Sequence, residues 1–297
     1  MMKNIVLTIT ASFLMVCLSQ AQNNGDELIK NLNTDSISGK VPTYFTPGHK
    51  QIALDFQKTI TKAIEFYEKR QSGQFNVKLA VLDATQWPKS WVPFGYVFYS
   101  NGWIFMNTGL SYEQFKAIYG IESIAEPLDA KLANANVTSS NMMASFYKVY
   151  SIHELGHYFM SRLTNAKSPD KWTGEFVATY FAYDFFKHYD GSALEAFKIF
   201  HEIDRAYYQP KYSKIADFNT IYMGMGVENY VWYHSNFYFL VEALYHCYGA
   251  DFISFFEEKF PKSLNENLDT NAIIQILETN CKDTVQNWVK EMEKRTD

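Results

Sequence analysis

Cysteine is nearly absent from this chain, with three among 297 residues at positions 17, 247 and 281, which excludes a small scaffold stapled by many disulfides. Long runs of Lys or Arg are missing too, and the formal net charge is −5. Neither nucleic acid nor an anionic membrane surface is therefore an implied partner. Beyond the opening segment no apolar stretch is long enough to cross a bilayer. There is no internal repeat and no low-complexity tract, so ordinary globular packing has to organise the chain.

What the chain does hold in quantity is rings. Aromatic residues make up 17%, chiefly 24 Phe and 21 Tyr, the material for a ring-rich interior in an enzyme or binding domain. The chain opens MMKNIVLTITASFLMVCLSQAQNN, with Lys3, an apolar run from Ile5 to Leu18, and small residues at Ser19 and Ala21. These are the marks of a secretory signal peptide over residues 1–21, cut after Ala21, and they predict a secreted or periplasmic protein. Lipid anchoring through Cys17 is disfavoured, because Val16 stands where a small residue is needed. In an exported chain Cys247 and Cys281 either bond to each other or stay as two buried thiols, and the sequence does not choose.

Residues 22–50 read as a polar, turn-rich lead-in with little regular structure. Residues 51–297 read as one domain, with a sheet-containing lobe over about 51–110 and a helical lobe over about 111–297. From Gln51 to Arg70 the apolar positions recur at helical spacing. VKLAVLD, from Val77 to Asp83, is a short apolar strand, and FGYVFYSNGWIFMN is two aromatic strands around Asn101-Gly102. Both turn residues tolerate the positive φ of a type I′ hairpin. Beyond Ser111 the pattern is helical to the end. A small mixed sheet followed by helices is an α+β order rather than an alternating βαβ one.

SIHELGHYFM, from Ser151 to Met160, carries the chemistry. On a helix His153 and His157 stack on one face with Glu154 beside them. Zinc takes neutral imidazole nitrogens, and a catalytic zinc uses three protein ligands, so a third is required. Glu175, at the start of GEFVATYFAYDFF, is the candidate. Thr173 is a plausible N-cap, which places Glu175 in the first turn of the next helix, and Ala178 and Ala182 allow that helix to approach closely. The plainer reading of Glu175 is a charge favoured at a helix N-terminus. Asp170 and Asp184 are the next candidates for the third ligand.

HELGH followed by GEFVA resembles the gluzincin branch of zincin metallopeptidases, the group of thermolysin-like endopeptidases and zinc aminopeptidases. The branch with a longer histidine signature does not fit, because Met160 and Leu163 stand where it needs Gly and His. The resemblance implies a zincin-like α+β fold, His153, His157 and Glu175 as ligands of Zn2+, and Glu154 as general base. It implies that the segment from His234 to Gly249 brings His234, or the adjacent Tyr233, to the reacting carbonyl. It further implies that a peptide or protein substrate lies along the Trp103–Met106 strand. Two features depart from the pattern. Thr179 stands where thermolysin-like enzymes carry an Asp that orients a ligand histidine, and GWIFMN lacks the Glu with which aminopeptidases hold a free amine. The expected activity is thus a zinc-dependent endopeptidase. Its rivals are a non-catalytic binding protein that keeps the fold and a zinc hydrolase of a non-peptide envelope substrate.

Overall fold

The computed structural model describes residues 25–70, 73–87, 97–265 and 268–296. The expected signal peptide, its expected cleavage site and Cys17 lie outside the described residues. The chain divides into two compact units, one holding the chain up to Arg70 with Gln74–Leu110, the other Gln71–Gly73 with Ser111–Asp297.

The first unit is built on a five-stranded sheet of order β1-β2-β3-β5-β4: β1 Asp35–Ile37, β2 Thr43–Phe45, β3 Lys78–Leu82, β4 Val97–Ser100 and β5 Trp103–Asn107. β2 and β3 run parallel, with Thr43 opposite Leu79, so they need a crossover, and the amphipathic helix α2 (Lys50–Glu68) supplies it. Ala53, Phe56, Ile60, Ala63 and Ile64 of α2 are buried, at the spacing that lines one helical face, and α2 packs on β2 and β3. β4 and β5 form the expected hairpin, Ser100 facing Trp103, and Asn101 and Gly102 take φ of +46° and +83°. The segment read as an irregular lead-in instead contributes α1 (Gly25–Lys30), β1 and β2. Those strands are three residues each, too short for alternation to show, and their partners lie far along the chain. Ile29 and Leu32 close over Ala80, Leu82, Trp103 and Phe105, and Gly25 sits so near the Trp103 indole that a Cβ there would fall 2.2 Å from the ring.

One expectation about substrate does not survive the topology. β5 is paired on one side with β3 and on the other with β4, so Trp103–Met106 has no free edge to which a substrate strand could add.

The second unit is helical among its described residues. α3 (Tyr112–Tyr119) and α4 (Ala125–Asn134) lead to α5 (Ser139–Arg162), α6 (Lys171–Tyr189), α7 (Gly191–Tyr207), α8 (Ile215–Ile221) and α9 (Val227–Tyr248), then α10 (Phe252–Lys259), α11 (Thr270–Leu277) and α12 (Thr284–Glu293). α5, α6, α7 and α9 pack on one another through rings. Phe146 lies edge-on to Phe200 at 5.4 Å, and Phe159 meets Phe181 at 4.1 Å, geometries that add to the area buried. Cys247 and Cys281 are joined in a disulfide that closes a segment of 34 residues and ties the end of α9 to the chain after α11.

Candidate metal centre

α5 begins at the N-cap Thr138, whose hydroxyl accepts from Asn141 N at 3.1 Å, and it is buried along most of its length. At Gly156, inside HELGH, α6 approaches closely: a Cβ there would stand 3.0 Å from both Cα and O of Ala178. The glycine in α5 and the alanine in α6 thus set the helix spacing that brings Glu175 to the histidines. α6 starts earlier than expected. Its N-cap is Asp170, with Thr173 at the third position of a capping box, so Glu175 lies in the second turn. Asp170 also accepts from Asn219, and Asp184 accepts from Tyr245 at 3.1 Å; neither reserve ligand joins the cluster.

His153, His157 and Glu175 do come together, with one ligand atom of each inside a 4.8 Å group. Nε2 of His153 and Nε2 of His157 are 3.1 Å apart, and Oε2 of Glu175 lies 3.3 Å from the first and 3.4 Å from the second. A tetrahedron with bonds of about 2.0–2.1 Å has edges of about 3.3 Å, so the three atoms are spaced as three corners around one cation. Glu175 Oε2 is buried and makes no hydrogen bond, an arrangement that is costly unless something positive faces it.

The tautomer of His153 follows from its neighbour. Thr179 Oγ1 donates its one proton to the Glu175 carbonyl at 3.0 Å and lies 3.0 Å from His153 Nδ1. It can only accept there, so Nδ1 carries the hydrogen and Nε2 presents its lone pair to the cluster. Thr179 thereby takes the orienting place that an Asp would fill in the thermolysin-like pattern.

His234, on α9, also turns toward the cluster, its Nε2 3.6 Å from Glu175 Oε2, and neither ring nitrogen has a hydrogen-bond partner. Tyr233 does not. Successive helical residues diverge by about 100°, and the Tyr233 hydroxyl donates to the Lys214 carbonyl at 2.8 Å, packed against Phe218. The second hydroxyl at the site is one the sequence did not indicate. Tyr222 Oη donates to Glu175 Oε1 at 2.6 Å, from a backbone held at φ +28°, a strained position for a ring-bearing residue. Nothing local separates Tyr222 from the other tyrosines except the glycines that follow at 224 and 226.

The electrostatics divide the ligands. Burial pulls His153 down to about 4 and His234 down to about 3, so both imidazoles are neutral at neutral pH. Burial also opposes charge on His157, but the Glu175 carboxylate beside it prevails and raises it to about 9. Burial likewise works against the Glu175 anion, and His157, then His153 and His234, hold it well below the usual carboxylate range. Glu154 raises the pKa of both His157 and Tyr222, which places its carboxylate within the same field. Access is one-sided: the His157 side chain is 27% exposed, against 3% for His153 and 8% for Glu175.

A second buried cluster lies between α7 and α9. Ser235 Oγ donates to Asp204 Oδ2 at 2.6 Å and is 2.7 Å from His201 Nδ1, so the His201 ring donates into the hydroxyl. Burial pushes Asp204 up to about 7, its bond from Ser235 working the other way, and burial holds His201 well below its ordinary value.

A scan against protein-family models finds no match to this chain, and neither does a search of curated proteins.

Proposed function

We propose that the protein is an exported zinc-dependent hydrolase with a zincin-like fold, acting on peptide bonds as an endopeptidase. The observation that carries this reading is the convergence of His153 Nε2, His157 Nε2 and the unbonded Glu175 Oε2 at 3.1–3.4 Å, with Glu154 on the next helical position. Two imidazoles and one carboxylate at tetrahedral spacing are a donor set suited to zinc with a position left open, the metal taking the place of the proton that Glu175 holds on His157. The order of a small mixed sheet with a hairpin, then the HELGH helix, then a helix bringing Glu175, supports the resemblance to gluzincins.

Bound there, zinc supplies a Lewis acid that lowers the pKa of water toward neutrality and polarises a scissile carbonyl. The chain's own residues do the rest. Glu154 takes the proton of the attacking water and delivers it to the departing amine. His234, neutral through burial, has one N–H with no internal partner and donates it to the oxygen on which charge develops. Tyr222 and Thr179 hold Glu175 and His153 in place. The intact carboxylate at position 154 favours turnover over a binding role, which has no use for a base there.

Glu154→Gln preserves size and removes the base. Zinc content should stay near one per chain while turnover of a quenched peptide library falls by about two orders of magnitude or more. Equal turnover by the variant rejects the mechanism. Zinc-loaded wild type that cleaves no peptide but hydrolyses cell-wall fragments transfers the site to the non-peptide reading.

A further inference from the structure

Beside the exposed edge of His157 opens a cleft of about 420 Å³. Met160, Ser161 and Ser168 form parts of its wall, and among the described residues its formally charged lining is Lys167 and Lys262. The two lysines are far apart in sequence, and a single β-bridge between Ala166 and Pro261 brings them together. Lys167 N donates to the Phe260 carbonyl at 2.8 Å, and Lys262 N donates to the Asn165 carbonyl at 2.6 Å, so the backbone holds the two residues side by side. Lys262 Nζ is further steered by the Ser161 carbonyl at the end of α5, 3.2 Å away, which uses one of its three hydrogens and leaves two. Glu257, on the adjoining helix, accepts from the Asn165 amide at 2.9 Å.

We infer that this cleft is a specificity subsite for a carboxylate of the substrate, held between Lys167 and Lys262 while the neighbouring peptide bond lies over the His153–His157–Glu175 centre. The inference rests on the hydrolase reading for its register. The chemistry itself is independent of it: two positive point charges at the rim of a cleft with no acidic residue in its lining among the described residues attract an anion. A chain with net charge −5 repels anions at long range, so a preference for acidic ligands has to arise locally. The carboxylate can belong to an Asp or Glu side chain or to a peptide C-terminus.

The test uses zinc-loaded, full-length mature Glu154→Gln protein, so that binding is read without cleavage. The probes are three sets of fluorescently labelled alanine hexapeptides. One carries a single Glu at each position with an amidated C-terminus, the second carries Gln in its place, and the third is the Gln set with a free C-terminal carboxylate. The first or the third set should bind about tenfold more tightly than the second, the scale of two exposed ion pairs. The advantage should vanish in Lys167→Met/Lys262→Met with zinc content unchanged, and it should shrink with added salt. Preference by the first set assigns the cleft to a side chain; preference by the third assigns it to a chain terminus. Equal binding of all three sets, or a preference that persists in the double variant, overturns the inference. Carboxylate-selective binding with no cleavage by the wild type leaves the subsite standing and removes the hydrolase reading. Cleavage blind to charge does the reverse.

Discussion

The second unit holds two buried histidine–carboxylate clusters built on neighbouring helices, and they are organised in opposite ways. At His201, Ser235 and Asp204 the polar atoms form a line, each hydrogen directed at the next acceptor, and all three residues are shut away from solvent. At His153, His157 and Glu175 they form a knot. Three ligand atoms face a common point, the carboxylate oxygen among them has no hydrogen bond, and one ligand reaches solvent. The line pairs its own donors and acceptors apart from His201 Nε2, which has no hydrogen bond, and such a chain stiffens a core. The knot gathers lone pairs at one point, where a proton on His157 sits beside Glu175 and a metal cation can replace it, and it is the open edge that lets chemistry reach it.

The largest expected effect comes from breaking the knot. Zinc at about a hundred times its Kd should stabilise the wild type by about 2.7 kcal/mol, a rise of about 4–5 °C in Tm for a chain of this size. Glu175→Ala should abolish that shift, and the same loss from His153→Ala but not from His201→Ala would sharpen the contrast, as read by thermal melts with and without zinc. Retention of the full shift in Glu175→Ala would remove this residue from the ligand set.

Breaking the line should change a pH profile instead. Asp204 has a folded pKa raised from 3.8 to about 7, so between those values the folded state holds a proton that the unfolded state has released. Its contribution is fully present below about pH 4 and is lost as pH rises to about 7, with a slope of up to about 1.4 kcal/mol per unit. Asp204→Asn should flatten that part of the stability curve and leave zinc affinity unchanged. Denaturant titrations across pH 4–8 check both statements, and an unaltered slope would show that Asp204 ionises normally.

The smallest effect lies on the link that holds His153 in its tautomer. Thr179→Val keeps the shape and removes the acceptor for Nδ1–H, and zinc affinity should fall by about 10–100-fold. Thr179→Ser should restore most of it. Competition against a chromophoric chelator measures the difference, and identical affinities for all three proteins would remove Thr179 from its supporting role.

How much of this was legible in the chain depended on range. The HELGH pair, the Asn101-Gly102 hairpin and the α2 periodicity are local signals, and each appears where its spacing placed it. Glu175 could be found because only the loop Leu163–Asp170 separates its helix from α5. Its helix start was misplaced because Thr173 and Asp170 are both good caps, and the capping box uses both. β1 and β2 stayed hidden because three-residue strands carry no pattern of their own and acquire stability from a partner across the sheet. Tyr233 and His234 could not be separated by sequence, since a shift of one residue is a rotation of the helix, and the packing of Tyr233 on Phe218 decides it. Tyr222 and the Lys167–Lys262 pair were invisible for the same reason: each is brought into place by a tertiary contact, Tyr222 at a separation of 47 residues from Glu175.

The most direct test of the central claim is anomalous diffraction at the zinc edge from crystals of the zinc-loaded protein. The account predicts one strong peak bounded by His153 Nε2, His157 Nε2 and a Glu175 oxygen, each at about 2.0–2.2 Å, and none beside His201 or Asp204. A peak at the second cluster, or none at the first in zinc-saturated protein, would contradict it.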